Sequence, residues 1–200
     1  MNLRNTLCIT ALTAAVAANT SLANARTSLK DLSAKIFGQP TAEATSFANG
    51  ASYQLCFVPN GASCQQLIIS AIDGTQHKLR IQAYSFTSPP IAAAVKRAKE
   101  RGVDVKVILD KSQASPRYTV ATYLRNAGID VVIDTKPAIA HNKVMIFDDS
   151  SVFTGSFNFT KSAQERNAEN GMLIRGDANI VKSYADNWAS RYDVSTPYQK

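Results

Sequence analysis

The segment Gly102-Val-Asp-Val returns as Gly128-Ile-Asp-Val, each time between a stretch of helical spacing and an apolar run. This echo constrains the fold strongly, because it implies two successive units in which a helix stops at glycine and a buried strand follows. In the first unit Leu79, Ile81 and Ala83 alternate with Arg80, Gln82 and Tyr84, which marks a strand. Ser88-Pro89-Pro90 then supplies an N-cap and a proline-compatible first turn. Ile91, Ala94, Val95 and Ala98 recur at helical spacing, Gly102 ends that helix, and Val103–Leu109 is a strand. The second unit places a helix near Tyr118–Asn126 and a strand at Ile129–Ile133. Strands joined by helices pair in parallel. The expected fold is therefore α/β: a mixed, largely parallel β-sheet flanked by helices on both faces.

A strand at Tyr53–Val58 and a helix at Gln65–Ile72 are expected ahead of these units. Beyond them the pattern changes. Lys143–Phe147 and Ser151–Thr154 read as strands around Asp148-Asp149-Ser150, a turn suited to an antiparallel hairpin. Gly171–Arg175 adds a strand, and a closing helix over Asn179–Arg191 gathers Val181, Tyr184 and Trp188 on one face.

The start of the chain reads differently. Within residues 1–25 Arg4 is the one charge, Thr6–Ala18 is apolar and Ala-rich, and Ala23-Asn24-Ala25 provides the small residues of a cleavage site. The run is too short to cross a bilayer, so a signal peptide over 1–25 and a periplasmic or secreted protein are expected. Residues 26–51 read as an arm or linker with one short helix at Leu29–Phe37, and the domain is expected over 52–200. Loss of Arg4 lowers the formal charge of +7 by one, to +6, which favours approach to polyanions. Cys8 leaves with the leader, and Cys56 and Cys64 remain for a disulfide across the Pro59-Asn60-Gly61 turn.

The chemistry concentrates between His141 and Asn158. Period two sets His141 and Lys143 on one strand face and pairs Ser156 with Asn158 in the same way. If the two strands pair through the Asp148–Ser150 turn, these four groups converge, and Gly155 lets backbone approach closely. A neutral imidazole can attack phosphorus, Lys143 can neutralise a non-bridging oxygen, and Ser156 and Asn158 can donate to it. A nucleophilic imidazole also needs an acceptor on its second nitrogen. Glu165 and Glu169 are both near enough in sequence, and spacing does not choose between them.

His-x-Lys-x4-Asp followed by Gly-Ser-x-Asn resembles the signature of the phospholipase D superfamily. Asn158-Phe-Thr-Lys, Asn167-Ala-Glu169-Asn and Tyr84-Ser85-Phe86-Thr87 resemble its short, single-motif bacterial endonucleases, a likeness running from about Ser52 to Tyr192. The resemblance implies the superfamily's αβα sandwich. It implies His141 as nucleophile with Lys143, Ser156 and Asn158 on the phosphate. It selects Glu169 as the partner of His141, makes Asp148 structural, and puts Tyr84–Thr87 at a strand end beside the site. It further implies a homodimer with the active site across the twofold, because one motif supplies one histidine and the leaving oxygen needs an acid.

The expected function is a metal-independent phosphodiesterase, a non-specific endonuclease acting through phosphohistidine on nucleic acid: DNA, with RNA left open. A phospholipid phosphodiesterase using the same groups is the alternative, and a silent nucleic-acid-binding module is a third. No cofactor, no metal and no stable membrane insertion are expected. Lys111, Arg117, Lys136 and Arg166 are candidates for a basic cleft, though scattered cations also suit plain surface. Phe147, Phe157 and Trp188 fall at core positions, Asp148 and Asp149 at a turn, and His77 at a surface turn.

Overall fold

The computed structural model describes residues 42–114 and 120–199. The expected leader, the helix at Leu29–Phe37, Arg117 and the start of the Tyr118–Asn126 helix lie outside the described residues. Of the segment Met1–Ser46, residues 42–46 are described, exposed and without regular structure. A second, compact unit begins at Phe47.

Eight strands form one sheet: β1 (Ser52–Val58), β2 (Lys78–Ala83), β3 (Asp104–Asp110), β4 (Asp130–Asp134), β5 (Lys143–Phe147), β6 (Ser151–Gly155), β7 (Glu169–Arg175) and β8 (Thr196–Pro197). Their order across the sheet is β1-β7-β6-β5-β2-β3-β4-β8. The helices are α1 (Cys64–Gly74), α2 (Pro89–Glu100), α3 (Ala121–Asn126), α4 (Lys161–Glu165) and α5 (Ala178–Asp193). Local chemistry explains their starts. The Ser63 and Thr160 hydroxyls accept N–H groups at the heads of α1 and α4, the Asp177 carboxylate does so at α5, and prolines open α2.

The sheet is mixed and helix-flanked, as expected, but it is not largely parallel. Among the named strands, parallel pairing is confined to β2–β3 and β3–β4. The pairs β1–β7, β7–β6, β6–β5, β5–β2 and β4–β8 are antiparallel. The cause lies in the connections. A parallel neighbour needs a crossover long enough to carry the chain back to its starting end, and α2 and α3 provide that for β2 to β4. From β4 the chain runs through residues 135–142 without a helix and enters β5 on the far side of β2, in the reverse direction. The repeated Gly-x-Asp-Val marks the parallel half and nothing beyond it.

Alternation along the strands feeds two cores. On one face Leu79, Ile81, Val107, Leu109, Met145, Phe153 and Leu173 pack against α1, α2 and α3. On the other, Ile108, Val132, Val144, Ile146, Val152 and Ile174 meet Val181 and Trp188 of α5. The Trp188 indole N–H donates to the Ile81 carbonyl at 2.9 Å, fixing α5 to the centre of the sheet. At the β1 edge this second face is bare, with Tyr53, Leu55 and Phe57 exposed in succession.

Cys56 of β1 and Cys64 at the head of α1 are bonded and fully buried. Closing a loop this short removes unfolded-state freedom worth about 2–3 kcal/mol. The double variant Cys56→Ala, Cys64→Ala should therefore melt roughly 5–10 °C lower by calorimetry. An unchanged Tm would mean that the cross-link contributes nothing to stability.

Candidate active site

One end of the sheet collects the tips of β2, β3, β4 and β6 with the heads of β5 and β7, by the strand directions above. Lys143 is the first residue of β5 and is 6% exposed, while His141, two residues earlier, is exposed. The two alternate along the chain and both side chains approach the Tyr84 ring, but only the imidazole is open to solvent. The Lys143 side chain folds back, and its Nζ donates to the His141 carbonyl at 2.6 Å. The loop is clamped from below. Asp110, buried at the tip of β3, accepts the Ala140 N–H at 2.7 Å and the Ser112 N–H at 2.8 Å. Tyr84, just past β2, donates its N–H to the Asn142 carbonyl at 2.9 Å.

Burial lowers the Lys143 pKa from its ordinary value, and the Glu169 carboxylate partly offsets this. The productive form for gripping a phosphate oxygen is the ammonium, which exists below that pKa. The profile of kcat/KM against pH should therefore lose its alkaline side before the ordinary lysine value of about 10.4. A profile flat through that value would remove Lys143 from the rate.

Ser156 follows β6. Its hydroxyl donates to Glu169 Oε2 at 2.6 Å and accepts the Asn170 N–H at 3.1 Å. The other Glu169 oxygen accepts from the Asn167 amide at 2.9 Å. Among the described residues Glu169 makes no hydrogen bond with His141. Asn158 carries a buried Oδ1 with no hydrogen-bond partner. Such an atom is costly to leave unpaired and marks a place where a ligand or neighbour can donate. Gly155 is required by space: a Cβ there would lie 2.4 Å from the Asn170 carbonyl oxygen and 2.8 Å from the Gly171 Cα. Phe157 and Phe159 are fully buried, anchoring the segment that presents Ser156 and Asn158.

Glu165 ends α4, exposed and paired with Lys161 at 3.7 Å. Asp148 lies at the far end of β5, about 16 Å from Lys143 at strand rise. Its carboxylate accepts the N–H groups of Gln76, His77 and Lys78 at 2.7–2.8 Å. Burial pushes its pKa up, but those donors outweigh it and hold the group below the usual carboxylate range. His77 is exposed at that same far end. Lys111 and Lys136 follow β3 and β4 at the His141 end, and Arg166 follows α4; all three are exposed. Phe147, Phe157 and Trp188 are buried. Among the described residues no group of three His, Cys, Asp or Glu side chains is placed to hold a metal ion, and no helix is long and apolar enough to cross a membrane.

Residues 68–191 match the family described as "Cardiolipin synthase, PLD-like domain". The chain belongs to the phospholipase D superfamily. It is a phospholipase D-like phosphodiester hydrolase, and its mixed sheet matches that fold. A relative named phospholipase D from Rickettsia prowazekii is 44% identical over 140 residues, covering 70% of this chain and 67% of its own. The crystal structure of a phospholipase D family member, Nuc from Salmonella typhimurium, matches with a TM-score of 0.71 and 38% identity, over 75% of this chain and 99% of that one. NucT from Helicobacter pylori follows with a TM-score of 0.67 and 25% identity, over 74% of this chain and 99% of its own.

In this superfamily member the fold brings His141, Lys143, Ser156, Asn158 and Glu169 to one end of the sheet and keeps Asp148 and His77 at the other. Two groups beside them escape a reading of the motif alone. Asn170 orients Ser156 through its backbone N–H, and Asp110 holds the loop ahead of His141. An acid directly after the apolar run Val107–Leu109 was the one visible sign of Asp110.

Proposed function

We propose that this phosphodiesterase is an exported endonuclease with little sequence preference, cutting DNA, and RNA with it, through a phosphohistidine and without a metal. What supports the reading most is a buried ammonium beside an exposed imidazole, with Ser156 and Asn158 at the same sheet end. Neutral His141 attacks phosphorus, and the bond to the leaving sugar oxygen breaks. That oxygen takes a proton from His141 of the partner subunit. Water then attacks the phosphohistidine, returns its proton to His141 of the partner subunit, and the P–N bond breaks. Lys143, Ser156 and Asn158 hold the non-bridging oxygens as charge grows on them. Glu169 holds the far nitrogen of His141. A phosphate that claims the Ser156 hydroxyl proton would free Glu169 Oε2 for that task.

The homodimer is supported by count and placement. The chain has two histidines, and His77 stands at the wrong end to serve as acid. Export is supported by the buried disulfide, which suits an oxidising compartment. Nucleic acid is favoured because Lys111, Lys136 and Arg166 can meet several phosphates of one polyanion. A second reading, a phospholipid phosphodiesterase, is favoured by the name of the Rickettsia relative and by exposed Tyr53, Leu55 and Phe57, an apolar wall beside Asn170.

The test is an assay of plasmid DNA against phosphatidylcholine vesicles in EDTA, with the mass in solution measured alongside. DNA cleavage that weakens as salt rises, by a species of twice the chain mass, supports the proposal. Vesicle turnover without DNA cleavage moves the protein to the lipid reading. Inhibition by EDTA contradicts the metal-free step, and an active monomer contradicts the shared site.

A further inference from the structure

Among the described residues the imidazole of His141 makes no hydrogen bond, yet its ring is not without support. Its centroid lies 4.6 Å from that of Tyr84, with the planes tilted by 50°. The same Tyr84 ring faces the Lys143 ammonium, whose Nζ is 5.0 Å from the centroid. The Tyr84 hydroxyl has no hydrogen-bond partner among the described residues. The ring, not the phenol oxygen, therefore makes the contacts. Resting on the reading of His141 as nucleophile, we infer that Tyr84 is a positioning residue whose ring sets the nucleophile and the phosphate-binding cation at a fixed separation.

The ring suits this task. Its face carries partial negative charge, so it attracts an ammonium without neutralising it. A carboxylate in the same place would form an ion pair that the substrate had to break. The ring also limits rotation of the imidazole, and so fixes the direction of the in-plane lone pair that attacks phosphorus. The backbone holds Tyr84 still. Its N–H bonds the Asn142 carbonyl, and Ala83 pairs with Lys143 in register. The neighbouring Ser85 carbonyl accepts the Phe159 N–H at 3.1 Å, and Thr87 N–H bonds the Phe159 carbonyl at 2.9 Å. One strand tip thus braces both the His141 loop and the segment bearing Asn158. Orientation of this kind contributes to rate rather than to ground-state affinity.

The experiment uses Tyr84→Phe, Tyr84→Leu and Tyr84→Met in the full protein. The substrate is bis(p-nitrophenyl) phosphate, a diester with neither base nor acyl chain, so the natural substrate does not affect the outcome. Phenylalanine keeps the ring face and should hold kcat within about twofold, whereas leucine and methionine should lose on the order of tenfold in kcat with KM little changed. Wild-type kcat in the leucine and methionine variants overturns the inference. So does a phenylalanine variant as slow as those two, or a rise in KM alone. In wild-type protein the His141 ring protons should be shielded in the NMR spectrum by the facing aromatic ring, and Tyr84→Phe should keep that shielding. Its absence overturns the inference whether or not the aliphatic variants fold. His141→Ala run in parallel separates the two claims. If that variant is inert while Tyr84→Leu is unimpaired, only the role of Tyr84 fails. If it turns over like wild type, the nucleophile assignment fails.

Discussion

His141→Ala should reduce hydrolysis of DNA, and of bis(p-nitrophenyl) phosphate, to background, a loss on the order of 10⁶-fold in kcat by comparison with other covalent nucleophiles. The reason is that no remaining group can accept the phosphoryl. Lys143 is committed as a cation, Ser156 is bonded to Glu169, and His77 lies at the other end of the sheet. The variant should fold normally, because His141 is exposed, its imidazole makes no hydrogen bond among the described residues, and alanine keeps the backbone carbonyl that Lys143 binds. Surface changes of that sort shift stability by no more than about 0.5 kcal/mol. Equal melting temperatures with no turnover therefore identify a chemical loss. Wild-type cleavage by the purified variant would discard the phosphohistidine route.

Glu169→Gln should slow turnover by roughly two to four orders of magnitude, by comparison with other carboxylates that orient a catalytic imidazole. Glutamine has nearly the same shape, but it brings one acceptor oxygen and a donor where glutamate offers two acceptors and a charge. It cannot serve Ser156 and Asn167 as glutamate does, nor accept the imidazole N–H and stabilise the imidazolium form as the proposed reaction requires. The fall should appear mainly in kcat. Glu165→Gln is the contrast, since Glu165 is exposed and paired only across one helical turn with Lys161. Its rate should equal that of wild type. If the two glutamine variants behave alike, Glu169 has no part in the reaction.

Element positions were legible where a period runs long enough. The strand expected at Tyr53–Val58 is Ser52–Val58, and the helix expected at Gln65–Ile72 is Cys64–Gly74. Strand direction was not legible. A buried strand shows the same apolar run whichever way its neighbour points, and direction is decided by what the connecting chain can span. The five residues of α4 and the two of β8 are too few to display a period. Within the site, residue types pointed to His141, Lys143, Ser156 and Asn158, which the fold does bring to one sheet end, because imidazole, ammonium, hydroxyl and amide have few other reasons to cluster. The bonds among them were hidden. Ser156 to Glu169 spans 13 positions and Ala140 to Asp110 spans 30, so both depend on the finished sheet.

The antiparallel reversal at β5 has a further consequence. β5 pairs with β2 so that Lys143 stands opposite Ala83, at the seam where the sheet changes its sense. On one side of that seam the tip of β6 and the head of β7 place Ser156 and Glu169, which under the proposed reaction would face the phosphate. On the other, the tips of β3 and β4 bring Lys111 and Lys136, which would meet the remainder of a bound molecule. The two banks are built by separate stretches of chain. Loops on the second bank can lengthen, shorten or change charge while the first stays as it is, leaving this scaffold free to acquire new substrates with its reaction intact.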